Sequence, residues 1–178
     1  MFGKPRQLET ESELYEVAVR ALMRRAHSVH EMKKVLARRT DNELLVQVVM
    51  ARLKENGQLD DSRYAKQFVR QRTEIRRQGK FRIARDLRAR GIPDRHVDAA
   101  IADAANPETE SATIRTRLQR KLKLLSTAKK GSALDAKKIA SLYGSLLRAG
   151  FSSDAIRREL KLITSEEIPE IDAPDISA

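Results

Sequence analysis

The few side chains that could coordinate a metal are poorly spaced for that role. The chain contains three histidines and no cysteine, which excludes thiolate ligands, disulfides and a cysteine nucleophile. His27 and His30 lie beside Glu31 but are three residues apart, whereas paired histidine ligands on one helix face are four apart. Asp60 and Asp61 could hold magnesium, but capping of the following helix explains both residues. We therefore predict no metal site.

Motifs for nucleophilic catalysis and for nucleotide hydrolysis are also missing from the sequence. Neither a G-x-x-x-x-G-K-[ST] phosphate loop nor a G-x-S-x-G nucleophile elbow occurs. We predict a protein that binds a partner, with no enzyme activity and no cofactor.

Basic residues dominate the charge of the chain. There are 36 Lys and Arg against 25 Asp and Glu, so the formal charge is +11, which favours an acidic partner such as nucleic acid. The excess is largest over residues 62–95, which hold twelve basic and three acidic residues. At helical spacing most of these cations point away from the apolar residues. We define the middle basic surface as Arg63, Lys66, Arg70, Arg77, Lys80, Arg82, Arg85 and Arg88, and predict that it binds the partner or DNA.

A second basic segment covers residues 113–130, which contain seven cations and no acid. It is a further candidate for binding, and part of it is predicted to be a loop. Its candidate residues are Arg115, Arg117, Arg120, Lys121 and Lys123.

Arg72 differs from its basic neighbours because it projects from the apolar side of its helix, near Phe68. A buried arginine packs its stem on apolar residues and pairs its guanidinium with a carboxylate. We predict a structural ion pair between Arg72 and Asp86 or Asp61.

An apolar pattern recurs three times along the chain with the same spacing. In each copy two apolar residues lie four apart, and a turn residue follows four residues after the second. Two more apolar residues, again four apart, begin six residues after the turn residue. The copies are Met32, Leu36, Thr40, Val46, Met50; Ile83, Leu87, Gly91, Val97, Ile101; and Leu142, Leu146, Gly150, Ile156, Leu160. This is the pattern of a helix, a turn and a second helix, and Gly91 and Gly150 suit the left-handed residue that ends a helix.

A further helix precedes each pair, since Ala65 and Phe68 stand before Leu87 as Leu14 and Val17 stand before Leu36. We therefore predict an all-α fold of three tandem three-helix repeats, forming an elongated array that can curve. The predicted boundaries are residues 12–57, 58–106 and 107–164, with a basic loop at 126–132 and an acidic, disordered tail at 165–178. Phe68, Ile83 and Leu87 are predicted core residues.

The middle of the chain resembles the central signature of the RecX family of regulatory proteins. The similarity lies in LDDSRYAKQFVRQR at residues 59–72, in Gly79, in RIARDL at 82–87 and in RGI at 90–92, and it extends over about residues 12–163. Two departures are Lys80, where the family usually has proline, and Thr40 followed by Asp41, where it often has glycine and an apolar residue.

The resemblance implies three tandem three-helix repeats that bind the RecA recombinase filament. It implies inhibition of the ATPase, strand-exchange and coprotease activities of RecA, and hence modulation of recombinational DNA repair and the SOS response. The expected partners are the RecA filament and single- or double-stranded DNA, bound weakly or through the filament, by a cytoplasmic monomer without a membrane segment. The alternative is a stand-alone nucleic-acid-binding protein, which the seven aromatic residues, largely at core-type positions, do not favour.

Overall fold

The computed structural model describes residues 7–128 and 136–164, and the regular structure of these residues is entirely helical. This confirms the predicted all-α fold. Nine helices follow one another over the described ranges: α1 (Glu11–Arg24), α2 (Val29–Ala37), α3 (Glu43–Glu55), α4 (Asp61–Glu74), α5 (Lys80–Arg88), α6 (Asp94–Asp103), α7 (Pro107–Ala128), α8 (Ala136–Arg148) and α9 (Ser153–Thr164).

The repeated apolar positions form the buried faces of these helices. All of them are buried except Ile101, which is half-buried. Leu36, Leu87 and Leu146 occupy the same place in their copies, and each is at most 2% exposed. The residues predicted for the core from the preceding helix, Ala65 and Phe68, are buried as well. Burial of one stripe on each helix therefore follows the sequence pattern.

Two of the turns between helices depend on glycine. Gly91 and Gly150 have φ angles of 73° and 90°, in the left-handed region that side chains disfavour. After each glycine the next amide reaches back to the buried leucine: Ile92 N–H donates to the Leu87 carbonyl at 3.2 Å, and Phe151 N–H to the Leu146 carbonyl at 3.3 Å. These bonds satisfy carbonyls left open at the helix end.

The described residues fall into two compact units. Unit 1 comprises residues 7–71 and 84–104, and unit 2 comprises 72–83, 105–128 and 136–164. A core around Leu14, Met32 and Leu53 lies in unit 1, and a core around Leu118 and Ile156 lies in unit 2. The limits of the units fall within α4 and α5, so the predicted repeat boundaries at 12–57, 58–106 and 107–164 stay predictions.

Helix α7 is longer than the sequence pattern indicated. It continues to Ala128, so residues 126–128 of the predicted loop are helical. The rest of that loop in residues 129–132, and the acidic tail at 165–178, lie outside the described residues. Over the described ranges, no helix is both long enough and apolar enough to cross a membrane.

Candidate anion-binding surface

The start of α2 is anchored on the turn that follows α5, and we call this contact the first junction. Ser28 caps α2, and its hydroxyl also donates to the Arg90 carbonyl at 2.6 Å. The Val29 amide donates to the Asp61 carboxylate at 2.9 Å, so Asp61 caps α2, while Asp60 caps α4. A Cβ on Gly91 would lie 2.5 Å from the Cβ of His30. The junction thus needs both a capping side chain and a glycine.

Glu31 neutralises the positive charge at the first junction. Its carboxylate accepts hydrogen bonds from Arg25 at 2.9 Å and from Arg90 at 2.6 Å, and it closes the capping box with the Ser28 amide. Burial would raise the pKa of Glu31, but the hydrogen bonds from Arg25 and Ser28 and the nearby guanidinium charges outweigh burial and lower it. Glu31 and the Asp61 carboxylate together therefore balance the two guanidinium charges of the first junction.

His27, beside this junction, makes stability depend on pH. Burial is the main cause that lowers its pKa below the usual value, and its Nδ1 lies 2.9 Å from the Arg25 carbonyl. The unfolded chain therefore binds a proton at His27 more readily than the folded chain does. The stability that neutral His27 contributes is present above about pH 6.5 and is lost as pH falls through the folded pKa. We expect urea unfolding to show lower stability at pH 5.5 than at pH 7.5, with a smaller difference in His27→Gln. An unchanged difference in that variant would contradict this role.

The start of α5 makes the equivalent contact with the turn after α8, which we call the second junction. The Gly79 amide donates to the Ala149 carbonyl at 2.9 Å, and the Phe81 amide donates to the Gly150 carbonyl at 3.0 Å. Gly79 lies eight residues before Leu87, as Ser28 lies eight before Leu36. The two backbones are so close that a Cβ on Gly79 would lie 2.1 Å from the Gly150 carbonyl oxygen.

Arginines converge on the second junction. Arg117 of α7 donates to the Arg76 carbonyl at 3.0 Å, and its guanidinium carbon lies 5.7 Å from the centre of the Phe151 ring. Arg82 donates to the Arg148 carbonyl at 3.4 Å. Burial is the largest cause that lowers the pKa of Arg117, and the charges of Arg82 and then Arg77 lower it further. We call Arg77, Arg82 and Arg117 the junction arginines.

No carboxylate balances these charges within the described part of the chain. None of the junction arginines has an ion pair there. The reason is visible in the repeat, because Arg82 lies five residues before Leu87, where the first copy has Glu31 five before Leu36. The second junction thus keeps the contact between a helix start and a glycine turn, but has Arg82 where the first junction has Glu31.

The other predicted cations of the middle basic surface have varied surroundings. Arg88 pairs with Asp94 at 2.6 Å and approaches Asp98 at 3.8 Å; the hydrogen bond to Asp94 is the main cause that raises its pKa. Arg63 donates to the Gly57 carbonyl, and Lys66 lies 3.8 Å from Asp103. The side chains of Arg70, Lys80 and Arg85 are exposed.

This chain is similar to known proteins over most of its length. The family model described as "RecX, second three-helix domain" matches residues 60–101. The regulatory protein RecX of Halorhodospira halophila is 44% identical over 89 residues, which cover 50% of this chain and 55% of that protein. The regulatory protein RecX of Chlorobium phaeobacteroides is 30% identical over 149 residues, covering 84% of this chain and 92% of that protein. The chain belongs to the RecX family.

Solved structures of the family share the fold. The crystal structure of RecX from Lactobacillus salivarius superposes with a TM-score of 0.74 at 21% identity, covering 88% of this chain and 97% of that chain. The RecX family model includes Arg82 but ends before Arg117, so the junction arginines are only partly inside the matched segment.

One predicted binding residue of this RecX family protein is paired with a buried carboxylate. Arg115 forms two hydrogen bonds with Glu159, at 3.0 and 3.2 Å, and the Glu159 side chain is only 3% exposed. Elsewhere on α7, Lys121 bonds to the Ser145 hydroxyl, whereas Arg120 and Lys123 are exposed. Sequence reasoning missed the role of Arg115 because its partner lies 44 residues away.

Removing Arg115 would leave a buried carboxylate without its partner. We expect Arg115→Gln to lower the urea midpoint clearly, because an unpaired buried charge is costly. Arg120→Gln, on the exposed side of the same helix, is the matched control and should leave the midpoint unchanged. Equal midpoints for the two variants would show that the Arg115–Glu159 pair adds no stability.

Several residues of the second junction, among them Arg148 and Phe81, were not predicted as site residues. Arg148 contributes a carbonyl acceptor, and Phe81, which a core-type position would bury, is 58% exposed. Comparison of the copies position by position could have found the junction, since Glu31 and Arg82 differ in sign. Arg72 is half-buried, and its predicted pairing with Asp61 or Asp86 stays a prediction.

Proposed function

We propose that this RecX family protein binds the RecA filament and inhibits the ATPase, strand-exchange and coprotease activities of RecA. It thereby modulates recombinational DNA repair and the SOS response, acting as a monomer in the cytoplasm. Membership of the family of regulatory proteins supports the proposal. The structural observation that carries it is the group of three junction arginines without a balancing acid among the described residues.

Binding alone is sufficient for this activity. A filament assembled on DNA offers phosphates and acidic protein surface, and exposed cations speed encounter with such a surface. Lys80 and Arg85 are exposed and so available for this role. Inhibition then follows from occupation of the filament, with no bond made or broken.

The experiment that tests the function adds the purified protein to RecA on single-stranded DNA. ATPase activity and filament length are followed at ratios from far below one per RecA up to saturation. We expect both to fall. A fall at low ratios indicates binding at filament ends, and a fall only near saturation indicates binding along the filament. Unchanged ATPase activity and filament length at saturation would refute the proposal.

A stand-alone nucleic-acid-binding protein is the second candidate, and the exposed ring of Phe81 favours it. The ring lies next to Lys80 and Arg82 in the sequence, and the Lys80 ammonium is 5.5 Å from its centre. Aromatic rings beside cations are typical of surfaces that bind single strands. Tight DNA binding without any effect on RecA would identify this function instead.

A further inference from the structure

The two junctions form an internal comparison within one chain. Both join the start of a short helix to a glycine turn through hydrogen bonds to backbone carbonyls. In the first, Glu31 accepts from two arginines; in the second, the corresponding residue is Arg82. At the position where the first junction has its anion, the second junction therefore has a further cation.

At the second junction, some guanidinium donors have no acceptor among the described residues. A guanidinium has five N–H groups, and Arg117 uses one of them on the Arg76 carbonyl. The Nε of Arg82 is buried and has no hydrogen-bond partner among the described residues. Like charges held together repel each other unless an anion joins them. An anion bound among the junction arginines would therefore reduce their mutual repulsion.

The backbone at Arg77 is a further sign of a built site. Its φ angle of 50° is the one positive value at a non-glycine position within the described ranges. This conformation costs free energy for a residue with a side chain, and such outliers concentrate at binding sites. An arginine rather than a glycine thus occupies this left-handed position, two residues before Gly79, whose amide bonds to Ala149.

The neighbouring ring distinguishes the kinds of anion. Phe81 is 58% exposed, although its own amide is fixed to the Gly150 carbonyl. A carboxylate pairs with the arginines but has no planar ring to stack on Phe81. A nucleotide uses both, because its phosphate pairs with guanidinium groups and its base stacks on an aromatic face.

We propose that the second junction is a binding site for single-stranded nucleic acid, in which the junction arginines hold a phosphate and Phe81 stacks on a base. The phosphate supplies the negative charge that the Glu31 carboxylate supplies at the first junction. The inference rests on the proposed function only in the choice of nucleic acid, since a RecA filament carries a DNA strand. It assigns the site and the class of ligand.

Arg82→Glu tests the phosphate site by giving the second junction the acid of the first. The variant should remain folded and have a higher urea midpoint than the parent, because repulsion becomes attraction. Its affinity for a 15-nucleotide oligo-dT, measured by fluorescence anisotropy, should fall at least tenfold. The slope of log affinity against log salt should become shallower by about 0.7 for each phosphate that the variant no longer binds. Arg24→Glu is the control, since it makes an equal charge change at an exposed position of α1, and it should change affinity much less.

Phe81 is tested with an abasic strand of the same length and charge. The parent should bind oligo-dT more tightly than the abasic strand; Phe81→Leu should lose this preference, and Phe81→Trp should keep it. Equal binding of both strands by the parent would refute the stacking role, and parental oligo-dT affinity in Arg82→Glu would refute the phosphate site. If Arg82→Glu lost RecA inhibition but bound oligo-dT normally, the junction would contact protein; the inference would fail and the proposed function would stand.

Discussion

Replacement of Gly79 with alanine is expected to lower the free energy of unfolding by about 2–3 kcal/mol, as overpacking of a tight contact does. The added methyl would lie 2.1 Å from the Gly150 carbonyl oxygen and 2.4 Å from the Phe151 nitrogen. Both atoms belong to backbone, so no side-chain rotation relieves the clash. The two segments would have to separate, which also removes the bond from the Gly79 amide to Ala149.

Gly144→Ala is the matched control for this prediction. Gly144 lies within α8, and the nearest atom to its added methyl is the flexible Arg148 Nη1 at 3.4 Å. Alanine is the better helix former, so stability should rise by about 1 kcal/mol. The measurement is urea unfolding followed by circular dichroism. Equal midpoints for the two variants would contradict the close approach at the second junction.

Loss of five cations from the middle basic surface is expected to abolish inhibition of RecA. The variant replaces Arg70, Arg77, Lys80, Arg82 and Arg85 with serine. These residues are exposed except Arg82, which is half-buried, so the helices should still form. RecA ATPase activity in the presence of the variant should match that of RecA alone, and the circular dichroism spectrum should match that of the parent.

The control removes the same charge from the first repeat. It replaces five exposed cations there with serine: Arg24, Lys33, Lys34, Arg38 and Arg39. This variant should still inhibit RecA, which separates the position of the charges from their number. If the middle variant is folded and inhibits as well as the parent, the chosen surface is wrong. The exposed cations of α7, Arg120 and Lys123, would then be tested.

The helices were predictable because one physical rule determines them. Apolar residues three or four apart share a helix face, and glycine suits a left-handed turn, so Leu87 and Gly91 already indicate where α5 ends. The length of α7 was underestimated, since residues 126–128 resemble a loop in composition but continue the helix.

The surface was less predictable because ion pairs depend on residues distant in the sequence. A count of charges treats Arg115 and Arg117 alike, yet one pairs with buried Glu159 and the other lies near Arg77 and Arg82. Asp61 likewise caps α2, which precedes it by a whole helix, rather than its own helix. Only the folded backbone brings these groups together.

The order in which the two junctions close bears on synthesis at the ribosome. The Ser28 hydroxyl donates to the Arg90 carbonyl, which lies 62 residues further along the chain, and the Gly79 amide finds its acceptor only at Ala149. Each short helix therefore emerges from the exit tunnel before the turn that receives it. During translation the Gly79 and Phe81 amides therefore hydrogen-bond to water until the turn at Gly150 has been synthesised.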